Sequence, residues 1–183
     1  MEWRAQPRIA RHPPQSQDRR GIARPAALGS DPYWCKDPAG GRKPINAKCE
    51  TVRELPTFRD AYRKRRCIVP VDGFFEWRAI KGQKAKQPHA IAMKDGAPFG
   101  IAGIWENWKE PASDGWLRTF AIITTDANEL VADIHDRMPV ILAPSDYARW
   151  LGEEPDPRDV MRPFPADLMR MWPRQDARPH RAR

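Results

Sequence analysis

The sequence predicts an α+β fold: a single domain on mostly antiparallel, barrel-like strands with a few short helices. Three observations carry this. Apolar, β-branched runs bounded by turn residues recur through the middle of the chain. The stretches with helical spacing are all short. Twenty prolines against 11 glycines favour bends and strand edges over a helical bundle. At 183 residues the chain is long enough for one hydrophobic core, and no internal repeat or second domain is visible.

Taken in order, residues 57–66 (TFRDAYRKRR) place Phe58, Ala61 and Tyr62 at i, i+3 and i+4, a short amphipathic helix preceded by Pro56. Residues 67–77 (CIVPVDGFFEW) read as two strands around an Asp72-Gly73 turn. Residues 89–93 and 99–108 read as the arms of a hairpin across Lys94-Asp95-Gly96. Residues 117–125 (LRTFAIITT) are the most apolar β-branched run, a buried central strand. Asp126 is placed as N-cap of a helix over 128–134, with Glu129 in capping-box position. A short strand over 140–142 follows, then a helix from Ser145 or Asp146 that closes at Gly152.

Charge divides the chain differently. The net charge is +8 and the pI about 9.8, which suggests a polyanionic partner. Residues 1–30 supply +4 and residues 173–183 supply +3, so the 142 residues between them carry only +1. The domain is therefore read as 31–172, flanked by basic Arg/Pro/Ala-rich tails over 1–30 and 173–183 that are expected to be disordered. No run of about 18 apolar residues is present, so no membrane span is expected. The first 15 residues lack the apolar stretch of a signal peptide. Cys35, Cys49 and Cys67 form no C-x-x-C pair and no secreted disulfide framework. A zinc site built from them with His89 or His135 is weighed and set aside, and no metal or cofactor is expected.

Three polar positions stand out against the apolar pattern. Glu76 lies between Phe75 and Trp77 at a strand end. It either points to water or is desolvated among aromatics, which would raise its pKa and suit it to proton transfer. His135 follows a helical stretch and opens HDRMP, as a positioned acid or base or as a surface capping residue. Asn46, in PINAKCET, reads as a turn residue or as an amide that orients a substrate.

The segments PINAKCETV, RRCIVPVDGFFEW and ANELVADIHDRMPVIL, in this order with the hairpin between them, resemble the SRAP family of SOS response-associated peptidases. PYWCKDPAGGRKP upstream fits the same pattern, and the resemblance runs from about Pro32 to Trp172. It implies a protein that processes abasic sites in single-stranded DNA, without a cofactor, as a cytoplasmic monomer that joins the nucleoid when acting on DNA. The resemblance assigns Asn46, Glu76 and His135 to the active site. It assigns Trp34, Lys48, Thr124 and Arg137 to the bound strand, through an aromatic plane for bases and cations for phosphates. Lys48 stands where the family usually has arginine, which keeps the charge and loses the bidentate fork.

The resemblance also implies a second-position cysteine whose free amine and thiol close a thiazolidine on the ring-opened abasic aldehyde. It releases its own N-terminal extension, the source of the peptidase label. Here position 2 is Glu2, and no cysteine precedes Cys35. An internal cysteine cannot close that ring, because its nitrogen is held in a peptide bond. Crosslinking and peptidase chemistry are accordingly expected to be impaired. Three functions follow as alternatives: an abasic-site enzyme, a non-covalent single-stranded DNA-binding module, or an inactive remnant. The tails are read as out-of-frame translation flanking an in-frame core, or else as a divergent terminus with its own role.

Overall fold

The computed structural model describes residues 27–28, 44–109 and 116–174. Among them, ten strands form two sheets around a few short helices. The larger sheet curls into a half-barrel, and its hub is β7 (Trp116–Asp126). β7 pairs antiparallel with β6 (Phe99–Lys109) and β8 (Arg137–Pro139), and parallel with β1 (Ala27–Leu28) and β2 (Asn46–Lys48). β6 continues the sheet to β3 (Arg66–Val71) and β9 (Ile141–Leu142). The smaller sheet runs β10 (Met169–Pro173), β5 (Lys86–Met93), β4 (Phe74–Ala79), all antiparallel.

Two apolar clusters explain why β7 reads as a continuous hydrophobic run. Ala121 and Ile123 pack on one side with Val52, Ile104, Tyr62 and Trp150. Ile122 points the other way, into a cluster with Phe74, Ile91, Ile101 and Met138 that lies between the two sheets. A strand buried on both faces has no polar side to alternate with. The first cluster is roofed by α1 (Arg59–Lys64) and α3 (Tyr147–Leu151), which contribute Tyr62 and Trp150. Both bury their rings with the polar end satisfied: Trp150 Nε1 donates to the Cys67 carbonyl at 2.9 Å and Tyr62 donates to Asp156 at 2.8 Å. Arg66 ties the end of α3 to β3 by donating to the carbonyls of Trp150 and Gly152, each at 2.6 Å.

Several sequence expectations are corrected here. Residues 67–77 do form two strands, β3 and β4, but they do not pair with each other. β3 joins β6 and β4 joins β5, so Asp72-Gly73 carries the chain from one sheet to the other. Gly73 is required for close approach: a Cβ there would lie 2.7 Å from the Ile91 carbonyl oxygen. The hairpin expected between β5 and β6 is likewise absent. Gly96, with φ of 76°, turns the chain, but both edges of β5 are already taken by β4 and β10. Asp126 is the last residue of β7, paired with Arg137, and not a helix cap. The cap of α2 (Glu129–Ala132) is Asn128, whose side-chain oxygen accepts from Val131 N–H at 3.0 Å. Asn46 opens a strand where local pattern favoured a turn, and β10 was not anticipated at all.

Candidate functional site

The alternation of β4 turns Phe74 and Glu76 toward the core between the sheets. Glu76 is 1% exposed, and its cross-strand partner His89 is 7% exposed. Directly opposed residues of an antiparallel pair share a face, so a carboxyl and an imidazole are buried side by side. Glu76 Oε1 has no hydrogen-bond partner among the described residues. Burial raises the Glu76 pKa above its ordinary 4.5, the charge of nearby His135 pulls it partly back, and Asp136 pushes it up again. The desolvated reading of Glu76 is the one the fold adopts.

His135, whose charge acts on this carboxyl, sits in the turn between α2 and β8. The turn is held by Ile134 and His135 N–H groups that both donate to the Val131 carbonyl at 3.0 Å. Asn128 anchors the preceding helix by donating to the Phe164 carbonyl at 2.7 Å. The His135 ring is fixed through Nδ1, which lies 3.0 Å from the Arg137 backbone nitrogen, 3.2 Å from the Arg137 carbonyl oxygen and 3.1 Å from an Asp136 carboxylate oxygen, so it accepts from the first when neutral there and donates to the oxygens when protonated. Nε2 is therefore the ring atom left for other chemistry.

The remaining described candidates gather along one end of β7 by register. Lys48 lies opposite Thr124 and Asn46 opposite Ile122 on β2. Ala47 turns into the core, so Asn46 and Lys48 share the other face, with Lys48 exposed. Arg137, opposite Asp126 on β8, links β8 to β7 and to Glu50 in the turn after β2. It forks onto Glu50 at 2.5 and 2.9 Å, meets Asp126 at 2.8 Å and donates to the Thr124 carbonyl at 2.8 Å. Hydrogen bonding to Arg137 holds Glu50 down to about 2. Glu50 and Asp126 thus neutralise Arg137, while its Nε stays buried without a partner among the described residues. Thr124 is buried, its backbone carbonyl serving as the anchor. Trp34 lies outside the described residues.

Sequence reasoning missed His89, Glu50 and Asp126 as neighbours of the site. Only the register of β4 on β5 reveals His89, and Glu50 meets Arg137 across 87 positions of chain. Cys49 and Cys67 are free thiols, and burial raises both, Cys67 to about 12. Neither is a thiolate at neutral pH. Cys35 lies outside the described residues, and among those described no cluster of His, Cys, Asp or Glu could hold a metal ion.

The chain as a whole matches a known family. The sequence profile for SOS response associated peptidase (SRAP) matches residues 4–177. The chain belongs to the SRAP family. Among SRAP relatives, it is 42% identical over 148 residues to the abasic site processing protein YoqW of Bacillus subtilis, covering 79% of this chain and 65% of that one. To the abasic site processing protein HMCES of Rattus norvegicus it is 30% identical over 164 residues, covering 74% and 46%. The chain thus spans less than two thirds of the length of either relative. A crystal structure of a protein from Bacteroides thetaiotaomicron superposes with a TM-score of 0.75 at 32% identity, over 81% of this chain and 68% of that one.

Proposed function

We propose that this SRAP chain recognises abasic sites in single-stranded DNA without bonding to them, with Glu76 and His135 as the pair that meets the lesion. The observation that carries this is the Glu76 carboxyl, buried, raised in pKa and with one oxygen uncommitted. An abasic site replaces a base with a small sugar hydroxyl or its ring-opened aldehyde. Protonated Glu76 can donate to the aldehyde oxygen, and ionised Glu76 can accept from the hydroxyl. An intact nucleotide offers neither group and brings a base that must be accommodated. His135 Nε2 lies on the side of the ring not tied to the backbone, as a second proton donor or acceptor beside it.

Asn46 orients the sugar in this reading. Lys48 meets phosphates on the exposed face of β2, beside Thr124 and Arg137, with Trp34 as an aromatic neighbour. The names of the relatives, all abasic site processing proteins, support the lesion as target. The non-covalent part rests on the three cysteines of the sequence, Cys35, Cys49 and Cys67, whose nitrogens all lie in peptide bonds and cannot close a ring on the lesion.

The test compares binding of two single strands that differ only by one abasic site. The expected result is tighter binding of the abasic strand, a preference lost in Glu76→Ala and reduced in His135→Ala, with no heat-stable band on a denaturing gel. Equal affinity for both strands contradicts the recognition reading. A heat-stable shifted band contradicts its non-covalent part.

A further inference from the structure

The smaller sheet has a second face that the Glu76 site leaves unused. The alternation that turns Glu76, His89 and Ile91 inward turns Phe75 and Trp77 of β4 outward, with Lys86 of β5 and Arg170 and Trp172 of β10. Arg174, just past β10, joins this face through its N–H bond to the Pro88 carbonyl at 2.9 Å. The guanidinium of Arg174 sits 5.3 Å from the centroid of the Phe75 ring, reaching from β10 over β5 to β4. That of Arg170 sits 5.0 Å from the Trp172 ring. Between them, Ala90 and Ala92 leave a flat floor.

Three cations and three aromatic rings thus share one face of a three-stranded sheet, and no outward position on its strands is Asp or Glu. Lys86 and Arg170 do not follow from general basicity, since residues 31–172 carry a net charge of only +1, while Arg174 is the first arginine of the basic end. Trp172 remains 41% exposed although an apolar ring gains from being covered. Guanidinium groups lying on ring faces keep their N–H edges free for phosphate oxygens, and the rings offer planes to bases. A protein partner would be better met by a more apolar patch with mixed charge at its rim.

We propose that the outer face of β4, β5 and β10 is a stacking platform for the single strand that flanks the lesion. This rests on the reading that the abasic site sits at Glu76. Glu76 lies between Phe75 and Trp77 on β4, an edge of its sheet, so the platform begins one residue from the site on the opposite face. The strand passes from one to the other around that edge. Arg170 and Arg174 meet its phosphates, and Trp172 takes a base.

The experiment uses the whole chain and fluorescently labelled single strands of about four and about sixteen nucleotides, each with or without one abasic site. Trp172→Ala and the double variant Arg170→Ala, Arg174→Ala alter exposed side chains, and circular dichroism checks that both remain folded. On the long strands, Trp172→Ala is expected to weaken binding at least about five-fold, with recovery in Trp172→Phe. The double arginine variant is expected to flatten the log–log salt dependence by about 1.4. Neither change should affect the short abasic strand.

Variants that bind the long strands as the parent does overturn the platform, even where the parent prefers the abasic strand. Weakened binding of the long strands by a parent with no such preference sustains the platform and removes the lesion reading at Glu76. A parent that binds no strand removes both. A parent that sediments as a dimer dissolved by Trp172→Ala, with DNA binding unmoved, assigns the face to a second copy and overturns the proposal.

Discussion

Arg137 and Glu76 stand at two ends of the same site and are treated by the fold in opposite ways. Arg137 receives two carboxylates and a backbone carbonyl, and it ties β8 to β7 and to the turn that follows β2. Glu76 receives burial and one uncommitted oxygen. A charge surrounded by its own partners contributes to structure and is poorly placed to take up a ligand's charge. A buried carboxyl with one oxygen that no described residue bonds costs stability and is ready for a ligand. The contrast separates the part of the site that holds the strands from the part suited to chemistry, although each lies within a motif that carries the family resemblance.

The largest expected effect breaks the comparison at its geometric source. Gly73→Ala forces a Cβ to within 2.7 Å of the Ile91 carbonyl, a backbone atom that cannot swing aside. It should destabilise the chain by about 3 kcal/mol in denaturant unfolding and weaken abasic discrimination, because β4 carries Glu76. Stability unchanged from the parent would show that the entry of β4 is looser than its register implies.

Arg137→Ala follows, at about 2 kcal/mol, since charge-assisted bonds to Glu50, Asp126 and the Thr124 carbonyl are lost together. If Arg137 is mainly structural, thermal stability falls while the preference for an abasic over an intact strand persists in the folded fraction. Loss of that preference without loss of stability would move Arg137 into the recognition machinery.

The smallest effect sharpens the same contrast. Glu50 is held down to about 2 from an ordinary 4.5 by Arg137, so its contribution is present above about pH 4.5 and is lost as pH falls toward 2. Its side chain is 49% exposed, so screening limits that contribution to about 1 kcal/mol or less. Glu50→Gln should flatten the acid limb of the stability curve. It should also tighten DNA binding at low salt, because Arg137 loses one of its two neutralising partners. An unchanged affinity would mean that the guanidinium does not face the strand.

How much of this was legible in sequence depends on whether the signal was local. The β7 run, the amphipathic spacing of Phe58, Ala61 and Tyr62, and the mixed fold class were readable, because burial writes itself into short-range pattern. Strand partnership was not. Asp72-Gly73 and Lys94-Asp95-Gly96 carry turn chemistry, but whether a turn closes a hairpin or passes between sheets depends on edges supplied elsewhere. The candidate site divides in the same way. Glu76 and His135 stand out as candidates through motif and resemblance, whereas the choice between a solvated and a desolvated Glu76, His89 across from it and the capture of Arg137 by Glu50 are decided only in three dimensions.

Recognition of the lesion turns on the state of one carboxyl, and carbon-13 NMR of the Glu76 side chain across a pH titration reads it directly. The predicted result is a midpoint above the ordinary 4.5. Because folding raises this pKa, the same group should lower stability as pH rises through that window, and Glu76→Gln should remove the dependence and raise stability at neutral pH. A midpoint at or below 4.5 would contradict the account, since the carboxyl would then be solvated or already paired and no better prepared for a ligand than Glu50.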